Sequence, residues 1–491
     1  MTGTRPLTQP EQVLLASDQA EMPIIIAMLG RTDGHVDAHR LAAATVGVFA
    51  RHRATRSELR DRAGSGGWRI LATARPAPVA ELDVATPDDA WRALRWEMLA
   101  GIDLTRAPLV RLLVFHHPQG DWLGIVGHHL AIDGSGLFNV LTETMAAYQP
   151  PAGAGAGVAP AAHHGPGPDA DHRVPSPWPV IDARRAAGSR VLRRVTPASR
   201  FLAPAGPPGV AGFALSREVI PVPRPRRRPD GPTPTVNDVL VAAVHLAAGR
   251  WNALRDRPSG TLRVRVALGA PSRTELDGLS SGFVLVASDQ ALRAAPARLL
   301  ATVAERTSAA KSRVVAAKTA AATRPPTTGA APAGAPDGVA GGAAGGAADT
   351  ARDLARRAPT ATLARVRTAA LRLAVAAARP ALMPIAAVSN LGHVPTDLTV
   401  GEGGPRLLDL HLTAPGRMPQ GLAVHVVRMA DRVHLTFCHA CELMDETSAR
   451  EFVGLFLAAV AELSESAAMP PRPAEGHADR LLRAGAADVS V

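Results

Sequence analysis

Short apolar runs alternate along the chain with segments whose apolar residues recur every three or four positions, a mixture of strand and helix patterns. PIIIAMLG at 23–30 has strand length, and HVDAHRLAAATVGVFARHRATRSELR at 35–60 has helical spacing. DDAWRALRWEMLAG predicts a helix. PLVRLLVFHH at 108–117 and DWLGIVGHH at 121–129 predict two strands joined into a hairpin by the turn PQGD. After Gly134-Ser135-Gly136, LFNVLTETMAAYQ predicts an amphipathic helix.

The second half repeats this flavour without a fixed short period. TVNDVLVAAVHLAAGRWNAL at 235–254 predicts a long helix with Thr235 or Asn237 near its N-cap. TLRVRVALGAPSR at 261–273 and SGFVLVASDQ at 281–290 predict strands. AAVSNLGHV at 386–394, LAVHVVRMADRVHLTFCHACEL at 422–443 and a final helix at 446–463 complete the pattern. The expected organisation is a first domain at 1–150, a Pro/Gly/Ala-rich crossover at 151–181, a second domain at 182–464 and a flexible tail at 465–491. Residues 324–349, low in complexity, are expected to be a disordered insertion in the second domain.

Composition narrows the function. At 491 residues and 46% hydrophobic, the chain can bury a sizeable core. The net charge of +11 rests almost wholly on arginine, since Lys311 and Lys318 are the only lysines. Aromatics are 3%, with one tyrosine, too few for base-stacking platforms, and no nucleic-acid partner is expected. Two cysteines, Cys438 and Cys441, build no disulfide framework and point to a reducing compartment. The opening residues lack the apolar core of a signal peptide, and the apolar run Leu373 to Val388 is broken by Arg379, Pro380 and Pro384. A soluble, cytoplasmic, monomeric protein without a transmembrane segment is expected.

The stretch with chemistry in it is VGHHLAIDGSG at 126–136. Two histidines end a strand, so His128 and His129 point to opposite faces and one of them can face a cleft. Asp133 follows at a loop turn, and Gly134 allows a close backbone approach. His116-His117 is also a pair but lacks the Asp-Gly offset, and reads as a solvated hairpin end. Cys438-x-x-Cys441 has no second ligand pair, so no metal site is expected. The basic run at 223–229 reads as a solvated loop.

His128 to Gly134 resembles the HHxxxDG hallmark of the condensation-domain superfamily of acyltransferases. Other segments resemble that family in the same order: ARHRATRSELR, DLTRAPLVRLLVF, TVNDVLVAA, VRVALGAPSR, VSNLGHVP and RVHLTFCHACELMDETSAREF. The resemblance implies an α/β fold of α+β layers: two chloramphenicol-acetyltransferase-like domains in a V-shaped pseudo-dimer, with an active-site tunnel between them. It implies His129 as catalytic base or orienter, with His128 packed away. Asp133 would pair with Arg273 from the second domain, Gly134 would shape the tunnel floor, and Ser135, Asn237, Ser389 and Asn390 would line the tunnel.

The implied activity is metal-independent acyl transfer in secondary metabolism, forming an ester or amide from a phosphopantetheine thioester and an alcohol or amine. No tightly bound cofactor is needed. The donor would be an acyl or peptidyl carrier protein acting in trans, or an acyl-CoA. The DFGWG segment of several family branches is absent, and the PLW of wax-ester synthases reads Pro108-Leu109-Val110 here. The alternatives are a wax-ester or diacylglycerol acyltransferase using long-chain acyl-CoA, and a catalytically silent module that recruits carrier proteins.

Overall fold

The computed structural model describes residues 3–16, 18, 22–60, 67–149, 202–206, 212–225, 232–268, 282–322, 384–416, 418 and 420–464. The expected crossover at 151–181, the insertion at 324–349, the tail at 465–491 and the arginines at 226–228 lie outside these residues. Three sheets organise the rest. A small antiparallel sheet joins β1 (Gly3–Pro6), β4 (Gly67–Ile70) and β3 (Ser57–Arg60) in the order β1-β4-β3, after a short helix α1 (Gln9–Ala16). The helical spacing at 35–60 is therefore realised only in part. Helix α2 runs Ala38–Arg51 from an Asp37 N-cap, and Ser57–Arg60 is strand because Leu59 and Trp68 pair and bury.

The first large sheet holds β2 (Ile25–Arg31), β5 (Val79–Asp83), β6 (Val110–His116), β7 (Trp122–His128) and β12 (His411–Thr413), in the order β12-β2-β7-β6-β5. The predicted β6–β7 hairpin is present and antiparallel, with Phe115 opposite Trp122. Its turn needs glycine at 120, where φ is 109° and a Cβ would stand 2.2 Å from the Thr32 carbonyl oxygen. Helices α2 and α4 (Gly134–Ala147) bury Leu41, Phe49, Leu137 and Leu141 on one face of the sheet. Helix α3 (Pro87–Ala100) buries Trp91, Leu94 and Met98 in the core on the other side, where Ile25, Leu29 and Phe115 lie. It starts at a Thr86–Asp89 capping box with Pro87 behind it.

The second sheet holds β8 (Phe213–Pro221), β9 (Leu262–Leu268), β10 (Gly282–Ser288), β11 (Ala386–Val394), β13 (Leu422–Met429) and β14 (Arg432–Ala440), in the order β10-β9-β11-β13-β14-β8. Helix α5 (Val236–Ala253) is apolar almost all round, and Val239 to Ala248 is buried throughout. It begins at Thr235, whose capping box uses Asp238, and Thr307 donates to the other Asp238 oxygen at 2.6 Å. Helices α6 (Gln290–Arg293), α7 (Pro296–Ala322) and α8 (Glu446–Leu463) complete the layer.

The two large sheets are tied by a strand from the far half of the chain. β12 lies antiparallel on the edge of β2, with His411 opposite Leu29 and Thr413 opposite Ala27. Just before it, Leu408 N–H donates to the Arg31 carbonyl and Asp409 accepts from Arg31 N–H. This backbone passes so close that a Cβ on Gly30 would stand 2.2 Å from the Asp409 carbonyl oxygen. On the other side of β12, His411 meets Thr436 of the second sheet at 3.3 Å and packs edge-to-face on His434 and Trp91.

His116 is not the solvated hairpin end expected. Its Nδ1 lies 3.1 Å from the buried Asp121 and its Nε2 2.9 Å from Glu81, while Asp121 also takes His35 Nδ1 and Val36 N–H. The Asp121 hydrogen bond, with help from Glu81, lifts the His116 pKa to about 9.

Two outcomes follow. Gly30→Ala should destabilise the fold by about 3 kcal/mol, because a backbone carbonyl cannot give way as a side chain can; a melting temperature equal to wild type would contradict the close approach. His116 gains its proton affinity on folding, so its contribution is full below about pH 6.5 and fades as pH rises through about 9. His116→Gln should cost roughly 1–3 kcal/mol in urea unfolding at pH 6 and much less at pH 10; an equal cost at both would contradict it.

Candidate active site

Strand β7 ends at His128, and the chain turns there because His129 N–H donates to the Ile24 carbonyl and Ala131 N–H to the His128 carbonyl. The two histidines diverge. His128 is buried: Leu130 N–H donates to its Nδ1 at 3.2 Å, and its Nε2 lies 3.5 Å from Asp18. His129 is half-buried, and its Nδ1 lies 3.1 Å from the Ile132 carbonyl oxygen. A carbonyl only accepts, so Nδ1 carries the hydrogen and Nε2 keeps its lone pair. Burial holds the His129 pKa below the ordinary histidine value, with Arg265 adding to the depression and Asp133 opposing it. The imidazole is therefore a neutral base at pH 7.

Asp133 is buried and caps α4, accepting from Gly136 N–H at 2.9 Å. Arg273, its expected partner, lies outside the described residues. Gly134 and Ser135 form the half-buried first turn of α4. A Cβ on Gly134 would meet Ile26 and Leu412 at ordinary contact distances, so the turn does not depend on glycine there. Contacts are tighter at Gly127 and Gly136, where the neighbouring side chains would have to shift. A Cβ on Gly127 would come within 2.9 Å of Ile132 and Leu137, and one on Gly136 within 2.9 Å of Ile132.

The remaining candidates lie on the second sheet and the start of α5. Asn390 Nδ2 donates to Asn237 Oδ1 at 3.3 Å, which joins β11 to the first turn of α5. Asn390 Oδ1 accepts from Gly392 N–H, where φ is 96° and the strand is bulged. Ser389 stands beside His425 in the β11–β13 register, and His425 beside Thr436. His425 was not singled out in the sequence, nor was Arg265. His425 is buried, with Nδ1 unpartnered and its pKa pushed down to about 3, by burial first and then by His129. His425 and Arg265 of the second sheet lie within electrostatic reach of His129 of the first. The available signal was alternation: Arg265 interrupts an apolar strand on the face opposite Val264 and Val266.

The cysteines carry no such chemistry. Burial pushes the Cys438 thiol up to about 12, which keeps it protonated. Among the described residues no cluster of histidine, cysteine and carboxylate could hold a metal ion, and no helix is long and apolar enough to cross a membrane.

No family model matches the chain. Among curated proteins it is 37% identical over 129 residues to CymA of Salinispora arenicola, named as a nonribosomal peptide synthetase, covering 26% of this chain and 2% of that protein. It is 29% identical over 282 residues to an uncharacterized protein of Mycobacterium tuberculosis, covering 53% of this chain and 60% of that one. The match thus spans less than two thirds of the length of these relatives. Among solved structures, the condensation domain of the monacolin K polyketide synthase MokA aligns at TM-score 0.53 and 13% identity, over 94% of this chain and 97% of that one. A substituted starter condensation domain of rhizomide synthetase RzmA, in complex with C8-CoA and Leu-SNAC, aligns at TM-score 0.56 and 14% identity, over 94% and 95%. Over nearly its whole length, therefore, the chain has the mixed α/β condensation-domain fold.

Proposed function

We propose that the protein is an acyltransferase that joins an acyl group from a phosphopantetheine thioester to an amine or alcohol, with His129 as general base. The observation that carries this reading is the His129–Ile132 hydrogen bond, which fixes the tautomer and leaves Nε2 as the free base. The acceptor's nitrogen or oxygen attacks the thioester carbonyl while Nε2 takes its proton. The tetrahedral adduct then collapses, the carbon–sulfur bond breaks, and the imidazolium returns the proton to the departing thiolate. The products are an ester or amide and a free thiol. Base assistance of this kind contributes ~10²–10⁴-fold, and holding two reactants in attack geometry contributes more.

The remaining residues support that step from a distance. Asp133 anchors α4 immediately after the histidines and favours the imidazolium that forms in the transition state. Asn237 at the start of α5, with Asn390 and Ser389 on β11, walls the site, and His128 holds the strand end through Asp18. The complex of the rhizomide synthetase domain with C8-CoA and Leu-SNAC supports a thioester-bearing arm as the donor for this chain too. A carrier protein in trans or an acyl-CoA would present it.

Intact-mass spectrometry tests this with acyl-CoA and acyl-carrier donors against amine, small-alcohol and long-chain-alcohol acceptors. Wild type should form product with at least one pair, and His129→Ala should lose ~100-fold or more in turnover with its melting temperature kept. Wild-type turnover in the variant would overturn His129 as the base. Product with no pair would overturn the acyl-transfer reading.

A further inference from the structure

The site face of the second sheet carries a cation that the acyl-transfer step leaves unused. On β9, Leu262, Val264 and Val266 are buried in the core against the helices and Leu268 is buried beyond them, while Arg263, Arg265 and Ala267 take the opposite face. The strand register extends that face across the sheet. Arg265 stands beside Leu285 of β10 and Ala387 of β11, and two residues along β11 comes the row of Ser389, His425 and Thr436. The charge of Arg265 acts on both His129 and His425.

This guanidinium is open to solvent yet hemmed in by protein. It is exposed, and desolvation by its surroundings still lowers its pKa, with no carboxylate among the described residues opposing that effect. The aromatic group beside it is Phe283, its ring centroid 5.9 Å away and its side chain left largely exposed on the same face. An exposed arginine with no carboxylate partner among the described residues is free to bind an anion, since its five donors match carboxylate and phosphate oxygens. Two strands over on the same sheet, His425 is 5% exposed and its Nδ1 has no hydrogen-bond partner, a cost that a bound polar group would offset.

We infer that Arg265, flanked by Phe283 and with the ring nitrogen of His425 nearby, seats an anionic oxygen group of a substrate that reaches across this face to His129. The inference deepens the acyl-transfer reading and rests on it for the reacting atoms. A carboxylate on the acceptor and a phosphate on the pantetheine arm share this chemistry, and paired probes tell them apart.

Calorimetry on the full chain compares coenzyme A with pantetheine, and alanine with alaninamide, for wild type, Arg265→Gln and Arg265→Lys. Arg265→Gln should weaken the charged member of one pair by ~10-fold or more and its neutral partner less than about twofold, with Arg265→Lys in between. Loss on coenzyme A assigns the phosphate, and loss on alanine assigns the carboxylate. A folded Arg265→Gln protein that binds all four probes as wild type does, or weakens on all four alike, overturns the seat. Charge discrimination that survives while no donor–acceptor pair gives product keeps the seat and overturns the acyl-transfer reading instead.

Discussion

The position of the candidate site depends on one close backbone approach, that of residues 407–413 to the edge of β2 at Gly30. β2 pairs on its other side with β7, and β7 ends in the two histidines. The strand β12 that rides on β2 also touches β14 of the second sheet through His411 and Thr436. How the two sheets meet is thereby set by ladder hydrogen bonds on the β2 side and by the His411–Thr436 and His411–His434 side-chain contacts on the β14 side. A site assembled from two sheets needs reacting groups placed within a fraction of an ångström.

Within that frame the electrostatics favour neutral imidazoles. His411, His425 and His129 are all pushed below the ordinary histidine value, with burial the largest cause in each. His116, at the far end of β6, is pushed the other way by two carboxylates. One residue type thus takes opposite states in one molecule, a charged clamp at the sheet's outer end and an uncharged imidazole at the end of β7. The difference lies in the partner: a carboxylate at hydrogen-bond distance outweighs burial, and a backbone carbonyl does not.

Much of this was legible in the sequence because it is written in local pattern. The β6–β7 hairpin, helix α5 with its Thr235 cap, the β13–β14 pair and the final helix follow from apolar spacing and turn residues. The HHxxxDG stretch marked the strand end where the structure sets His129. What was not legible depends on distant parts of the chain. β12 is three residues long and exists as a strand only because Gly30 lets it approach β2. Ser57–Arg60 continues a helical pattern and becomes strand because Gly67–Ile70 pairs with it. His116 looked solvated because Asp121 and Glu81 come together around it only in the fold. His425 and Arg265 were hidden in strand patterns, and only the sheet register shows which face they share.

Nitrogen NMR of histidine-labelled protein, with His129→Gln used to assign the signal, reads the His129 tautomer directly. At pH 7 His129 should be neutral, protonated on Nδ1 and bare on Nε2, with its titration displaced below 6.5. A His129 that is protonated on Nε2, or cationic at pH 7, would have no lone pair facing the substrate and would contradict its role as the base.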